Sequence, residues 1–582
     1  MSSRRFVANL RETSRVTWLA SLTLLAALSG CTGDILGGEG GEAVPPGGLT
    51  PVGQTPGQTP EGVTTPDGIG WATRFPKLSN EQWENSVRDL FYLAAPTGLS
   101  EAFSPEPADG GYDNQAASGQ TIAGDSWLRY QFAAEELARL VTSDAAKLAK
   151  LVPATAPASG TERTRATIVD LGLRTYRRPL TTAEVDGYMA LYDKGAALDA
   201  ANANASGMNM VIQTMLQSPH FLYRVEGSSQ PDGAKIWLSG YEVATRLAYS
   251  LWNTTPPKEL LDAAGAGQLA TPEGVKGRAT SMLADPRAAE ALTRFHQQTF
   301  RTGVYGSQGK DPKFNFDPLA PYLEDEARLF FSDIVATGGG IRAILTKPVA
   351  FVNEQTAPFY GLTGITGTEL RKVDLDATRR VGLLSQVGFL SQTGARTLTD
   401  PVHRGLAILR EVLCDDPDPP PPVDITTPVV PPGQTTRRTY EIATACGVGC
   451  HDTLINPPGF AFEHFDTVGR WREDEEGLPI DVAGTFGARV GWTPETKRAN
   501  PAIMLQFNGA VDLITQLAEL DRTHECYARH LLQFVLAKPV TAEELGAGAL
   551  LGKNSKTSND ARTILGELVT LNTFRARAPD PQ

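Results

Sequence analysis

The sequence predicts a mostly α protein of several small helical modules in tandem, and three observations carry that prediction. Four S/T-x-x-E/Q capping boxes stand at Ser79/Gln82, Thr181/Glu184, Ser239/Glu242 and Thr541/Glu544, each able to satisfy the orphan amide donors of a helix start. Apolar residues recur at helical spacing, as in Ala244, Leu247, Ala248 and Leu251, which share one face at i, i+3, i+4 and i+7. Strand-like alternation is confined to about 368–374 and 479–492, the second reading as a short β-hairpin.

Taken in order, the chain opens with Arg4, Arg5, Arg11 and Arg15 before the apolar stretch Val16 to Leu28, which has the length of a secretory h-region and is short for a bilayer span. It ends Leu28-Ser29-Gly30-Cys31, which resembles a bacterial lipobox, so Cys31 is expected to be diacylated and to become the new N-terminus. The alternative is an ordinary signal peptide with a coincidental cysteine. The lipoprotein reading makes residues 1–31 a signal and anchor, and places the chain in the cell envelope. It would be an outer-membrane lipoprotein facing the periplasm or the cell surface, held to the membrane only by its acyl chains. Residues 32–70 are rich in Gly, Pro and Thr with almost no large apolar residue, and read as a disordered tether.

Helical modules follow at 71–150, 160–226 and 235–365, with amphipathic stretches at 126–149, 203–224, 285–300 and 321–336. A fourth segment, 378–492, carries a helix over 400–413 and then the proline run Pro419 to Pro422, an extended polyproline II connector. The last module, 497–577, has helical patterns at 498–519, 524–536 and 558–573. A net charge of −13 argues against nucleic acid as a partner. Five cysteines are too few for a disulfide scaffold, so each needs its own account.

The most informative motif is Cys446-Gly447-Val448-Gly449-Cys450-His451. A c-type haem needs two thiols for thioether bonds and an adjacent histidine for the iron, which is why its usual motif is C-x-x-C-H. Here the spacing is C-x-x-x-C-H, and two glycines among the three intervening residues allow the loop to bulge. A Cys446–Cys450 disulfide in an oxidising compartment is the rival reading. Zinc is a weaker third, since no second Cys/His pair at metal spacing follows. His464, 13 residues beyond His451, and Met504 are candidates for a second axial ligand. Cys414 ends a helix and Cys526 opens another, and they are expected to be a disulfide clamp between modules or two buried thiols.

Enzyme templates fail. Gly546 to Asn554 looks like a P-loop but has five residues between Gly546 and Gly552 and lacks the magnesium-binding Ser/Thr, and Gly265 to Ala270 follows a helix where a dinucleotide fingerprint follows a strand. There is no G-x-S-x-G and no H-E-x-x-H, so no catalytic residue is named and enzymatic activity stays open. His220, His296, His403 and His530 sit on predicted helices beside apolar neighbours and read as core or surface residues.

These residues together resemble the exported multi-domain proteins of planctomycetes and myxobacteria built from consecutive domains of unknown function associated with planctomycete-type cytochrome c. The resemblance runs through Val87-Arg88-Asp89-Leu90, Tyr176-Arg177-Arg178-Pro179-Leu180, Ser218 to Arg224, Arg246 to Trp252, Pro401-Val402-His403-Arg404-Gly405, Asn456-Pro457-Pro458-Gly459-Phe460, and Cys526 to His530. It implies Cys446 and Cys450 as thioether donors and His451 as the iron ligand of a haem c. Two departures from the family pattern are the extra residue between the cysteines and Asn456 where Asp is common. Under this reading Arg470 and Arg472 would pair with haem propionates and Trp471 would pack on the ring edge; otherwise Gly469 to Arg472 is a tight turn around a buried indole. The function implied is electron transfer, or service as the redox subunit of a cell-envelope assembly with a partner protein. The alternative is a haem-free helical surface lipoprotein, acting as scaffold or polymer-binding protein with disulfide-bonded cysteines.

Overall fold

The computed structural model describes residues 68–106, 111–118, 121–122, 124–417, 428–445, 451–489 and 501–580. The signal segment, Cys31, most of the tether, Cys446 and Cys450 lie outside these residues. Helices dominate, and the strands form only small antiparallel groups. All four capping boxes are made. Ser79, Thr181 and Ser239 cap the helices Asn80–Leu90, Thr182–Leu198 and Gly240–Trp252, while Thr541 and Glu544 cap the 3-10 turn that leads into Leu545–Ser558. Among the described residues no helix is long and apolar enough to cross a membrane.

Only one strand of the hairpin expected near 479–492 lies there: Ala483–Arg489 pairs with Pro501–Asn508 beyond it, Ala483 standing opposite Asn508. Helical spacing predicts one helix over 498–519, but the structure makes strand through Asn508 and helix only over Ala510–Glu519. The reason is a period of two: Leu505 and Phe507 are buried while Met504 and Gln506 are exposed. Gly509, at φ 95°, then turns the chain. The alternation at 368–374 becomes the strand Arg371–Asp374, whose partner Val349–Val352 is a continuous apolar run that shows no alternation. A third group joins Pro231–Asp232, Lys235–Trp237 and the C-terminal Ala576–Arg577.

Two apolar cores form among the described residues. One gathers Trp83, Leu137, Leu171, Ile212 and Phe221 from the first two helical segments. The other extends from Val243 to Phe574 and takes in Tyr112, whose hydroxyl bonds to Thr299 Oγ1 at 2.9 Å. The buried Arg177 and the half-buried Arg246 donate to main-chain carbonyls. Arg177 donates from Nη2 to the carbonyls of His220, Phe221 and Tyr223 at 2.6, 3.1 and 2.7 Å, and from Nη1 to Tyr249 Oη at 3.1 Å. Arg246 grips Glu226 with two bonds of 2.6 and 2.9 Å and donates to the carbonyls of Thr573, Phe574 and Ala576.

The Cys414–Cys526 disulfide is present, with Cα atoms 5.3 Å apart and 112 residues between them in sequence. Cys414 follows the π-helical turn Ile408–Val412 in a left-handed conformation, φ 48°. Cys526 lies in the helix Asp521–Leu536, where Arg522 donates to the carbonyls of Leu413 and Cys414.

Candidate functional site

The site begins with two short helices that touch backbone to backbone. Asp400 caps Pro401–Ala407 by accepting from the His403 amide at 3.1 Å, and that helix packs on Asn456–Phe460. A Cβ at Gly405 would lie 1.7 Å from the Ile455 carbonyl oxygen, and one at Gly459 would lie 1.9 Å from that of Pro401. Only glycine permits this approach, which explains both glycines without invoking a ligand. Beneath the crossing, the fully buried Arg404 donates to the carbonyls of Phe462, Leu390 and Asp466 at 3.2, 3.3 and 3.2 Å. Glu463 beside it is also buried. Burial raises its pKa above the usual carboxylate range against the pull of Arg472 and Arg404.

On this bed sits the π-helical turn His451–Ile455, and here a chain of hydrogen bonds fixes the histidine. The Thr444 hydroxyl donates to the Tyr440 carbonyl at 2.7 Å, so it accepts from Asn456 Nδ2 at 2.8 Å. That interaction orients the buried amide, turning Asn456 Oδ1 toward His451 Nδ1 at 3.0 Å. An amide oxygen only accepts, so the neutral imidazole carries its proton on Nδ1 and keeps the lone pair on Nε2. This is the arrangement a metal-ligating histidine requires, one nitrogen donating to a fixed oxygen and the other, among the described residues, not engaged. The residues present therefore fit an iron ligand. Asn456 does more than a carboxylate would, since Asp could accept from the imidazole but could not donate to Thr444.

The structure places the other expected residues differently. His464 donates from Nδ1 to the Arg472 carbonyl at 3.0 Å and stacks on Trp471, with centroids 4.7 Å apart and 13° between planes, inside a turn where Gly469 has φ 79°. Met504 is 49% exposed on its strand. Arg470 lies over the Phe359 ring at 4.2 Å and donates to the Phe314 carbonyl. Arg472 pairs with Glu463 at 3.2 Å and Glu475 at 3.3 Å. Gly469 to Arg472 forms a tight turn, but the Trp471 indole in it is half-buried rather than buried and donates to Glu473 at 2.9 Å, and both arginines are held by protein partners.

Elsewhere, the Gly546 to Asn554 segment lies inside the helix Leu545–Ser558, which leaves no loop to cradle a phosphate. His296 is buried against Tyr527 Oη at 2.8 Å, and burial pushes it down to about 3. Reading His530 as a core or surface residue did not place it beside the disulfide. Its Nε2 lies 3.4 Å from Cys414 Sγ, and with Cys526 it completes the one group of ligating side chains close enough to hold a metal among the described residues. The signal was Cys526-x-x-x-His530, two such residues on one helix face.

Four family profiles match, in chain order: PSD3 (protein of unknown function, DUF1587) over residues 77–143, PSD5 (DUF1595) over 163–226, PSD4 (DUF1592) over 238–362, and PSCyt3 (DUF1588) over 380–475. The last spans Cys414, Cys446, Cys450, His451 and His464. No curated protein and no solved structure matches.

Proposed function

We propose, from the premise that the chain belongs to the family of consecutive planctomycete cytochrome c-associated domains of unknown function, that it is an exported, membrane-anchored protein with one haem c on the Cys446/Cys450/His451 loop. The observation that carries this reading is the Thr444–Asn456–His451 chain, which presents Nε2 as a ligand directly after Cys450. Bound there, a haem would supply one-electron transfer. The protein's part is to hold the imidazole in one tautomer and orientation, through Asn456, on a backbone crossing that Gly405 and Gly459 keep tight. Cys31 would carry the acyl anchor, and an electron-transfer partner would dock from the envelope.

The test is expression of the exported chain with a haem-attachment system, followed by denaturing electrophoresis and a stain for haem-linked peroxidase activity. A covalent signal that Cys450→Ser reduces and a Soret band that His451→Ala shifts are expected. A chain without haem, two hydrogens light at Cys446 and Cys450, would replace this reading with the haem-free, disulfide-locked surface lipoprotein.

A further inference from the structure

We propose that the Cys414–Cys526 joint is also a redox-gated metal site, which in its dithiol form takes one Zn²⁺ on Cys414, Cys526 and His530. Two observations carry this. The two sulfurs and a His530 nitrogen lie within 4.8 Å of one another, with Nε2 3.4 Å from Cys414 Sγ. Cys526 and His530 are one helical turn apart in Asp521–Leu536, so one rigid element presents two ligands on one face.

The chemistry balances. A phosphine reductant attacks the disulfide and leaves as the phosphine oxide with oxygen from water, and the two electrons and two protons appear as two thiols. Zinc then displaces both protons, and two thiolates with one neutral imidazole cancel its charge, which a buried site demands. Zn–S bonds of about 2.3 Å at tetrahedral angles set the sulfurs roughly 3.8 Å apart. Cys side-chain rotation reaches that separation from Cα atoms 5.3 Å apart. With three protein ligands the fourth position is left to water.

The test uses the full chain with Cys31→Ser, Cys446→Ser and Cys450→Ser, so that Cys414 and Cys526 are the only sulfhydryls. After phosphine reduction it is titrated with Zn²⁺ against a chromophoric chelator. One Zn²⁺ per chain, none before reduction, and at least tenfold weaker binding in His530→Gln are expected. No stoichiometric binding after reduction, or equal affinity in His530→Gln, overturns the proposal. Should the His530 variant fail to fold, X-ray absorption of the zinc-loaded parent decides: two sulfurs with an imidazole nitrogen support the site, and sulfur with oxygen only overturns it.

Discussion

Two histidines stand beside sulfur in this chain, and their surroundings divide the work. His451 is half-buried, fixed by a neutral Thr–Asn relay, and follows its two cysteines directly in sequence. His530 lies against a bond already made between two cysteines 112 residues apart. Two cysteines and a histidine thus recur twice, once adjacent along the chain and once brought together only because distant segments pack. What separates them is adjacency in sequence in one case and packing within the whole second core in the other.

The largest effect that breaks this comparison should come from the cysteines. Cys450→Ser should remove most or all of the covalent haem signal while leaving thermal stability near that of the parent. Cys414→Ser with Cys526→Ser should keep the haem stain and lose about 5 kcal/mol in denaturant unfolding, the chain-entropy value for freeing a loop of this length. The reverse pattern would show that the roles are exchanged.

Acid gives the next largest effect. Burial depresses the His530 pKa from 6.5 to about 4, so its contribution to stability is complete above pH 6.5 and is lost as pH falls through 4. A loss of no more than about 3 kcal/mol over that window is expected, reduced in His530→Gln. His296, pushed to about 3, adds a loss in the same direction at lower pH. Glu326, raised to about 8 by burial, works the other way, costing stability as pH rises from about 4.5 to 8. Unfolding free energies measured from pH 4 to 9 would resolve both slopes.

Gly405→Ala should lower stability by roughly 2 kcal/mol, because its Cβ meets the Ile455 carbonyl. It should also shift the Soret band, because that carbonyl belongs to the turn carrying His451; the disulfide would be untouched. The smallest change is expected from Asn456→Asp, which keeps the acceptor for Nδ1 and loses the donor to Thr444, at about 1 kcal/mol. Asn456→Ala should change the spectrum more than Asn456→Asp does.

Much of the fold was legible because its signals are local. Capping boxes at Ser79, Thr181, Ser239 and Thr541 and the face of Ala244 to Leu251 need only neighbours in sequence. Strand Val349–Val352 was not legible, since an apolar run buried on both faces carries no alternation, and Pro501–Asn508 was absorbed into the helix behind it. At the candidate site, His451 and Asn456 stood out in sequence, but the relay through Thr444 depends on a turn that brings residues 444 and 456 together. The arginines were legible as motif and misleading as chemistry. Arg177 and Arg404 spend their guanidinium groups on carbonyls, Arg246 on Glu226 and carbonyls, and Arg470 and Arg472 on neighbours, duties that residue type alone does not reveal.

The disulfide also makes part of the chain a covalent ring. Residues 415–525, which hold the Cys446/Cys450/His451 loop and the hairpin, hang from it at both ends. A protease that cuts once anywhere in that ring leaves two fragments still joined, and they separate on a gel only after reduction. A peptide cut outside the ring releases a piece at once. Limited digestion with and without reductant therefore maps which cuts fall between Cys414 and Cys526, and a molecule clipped beside its candidate redox loop would still remain one molecule.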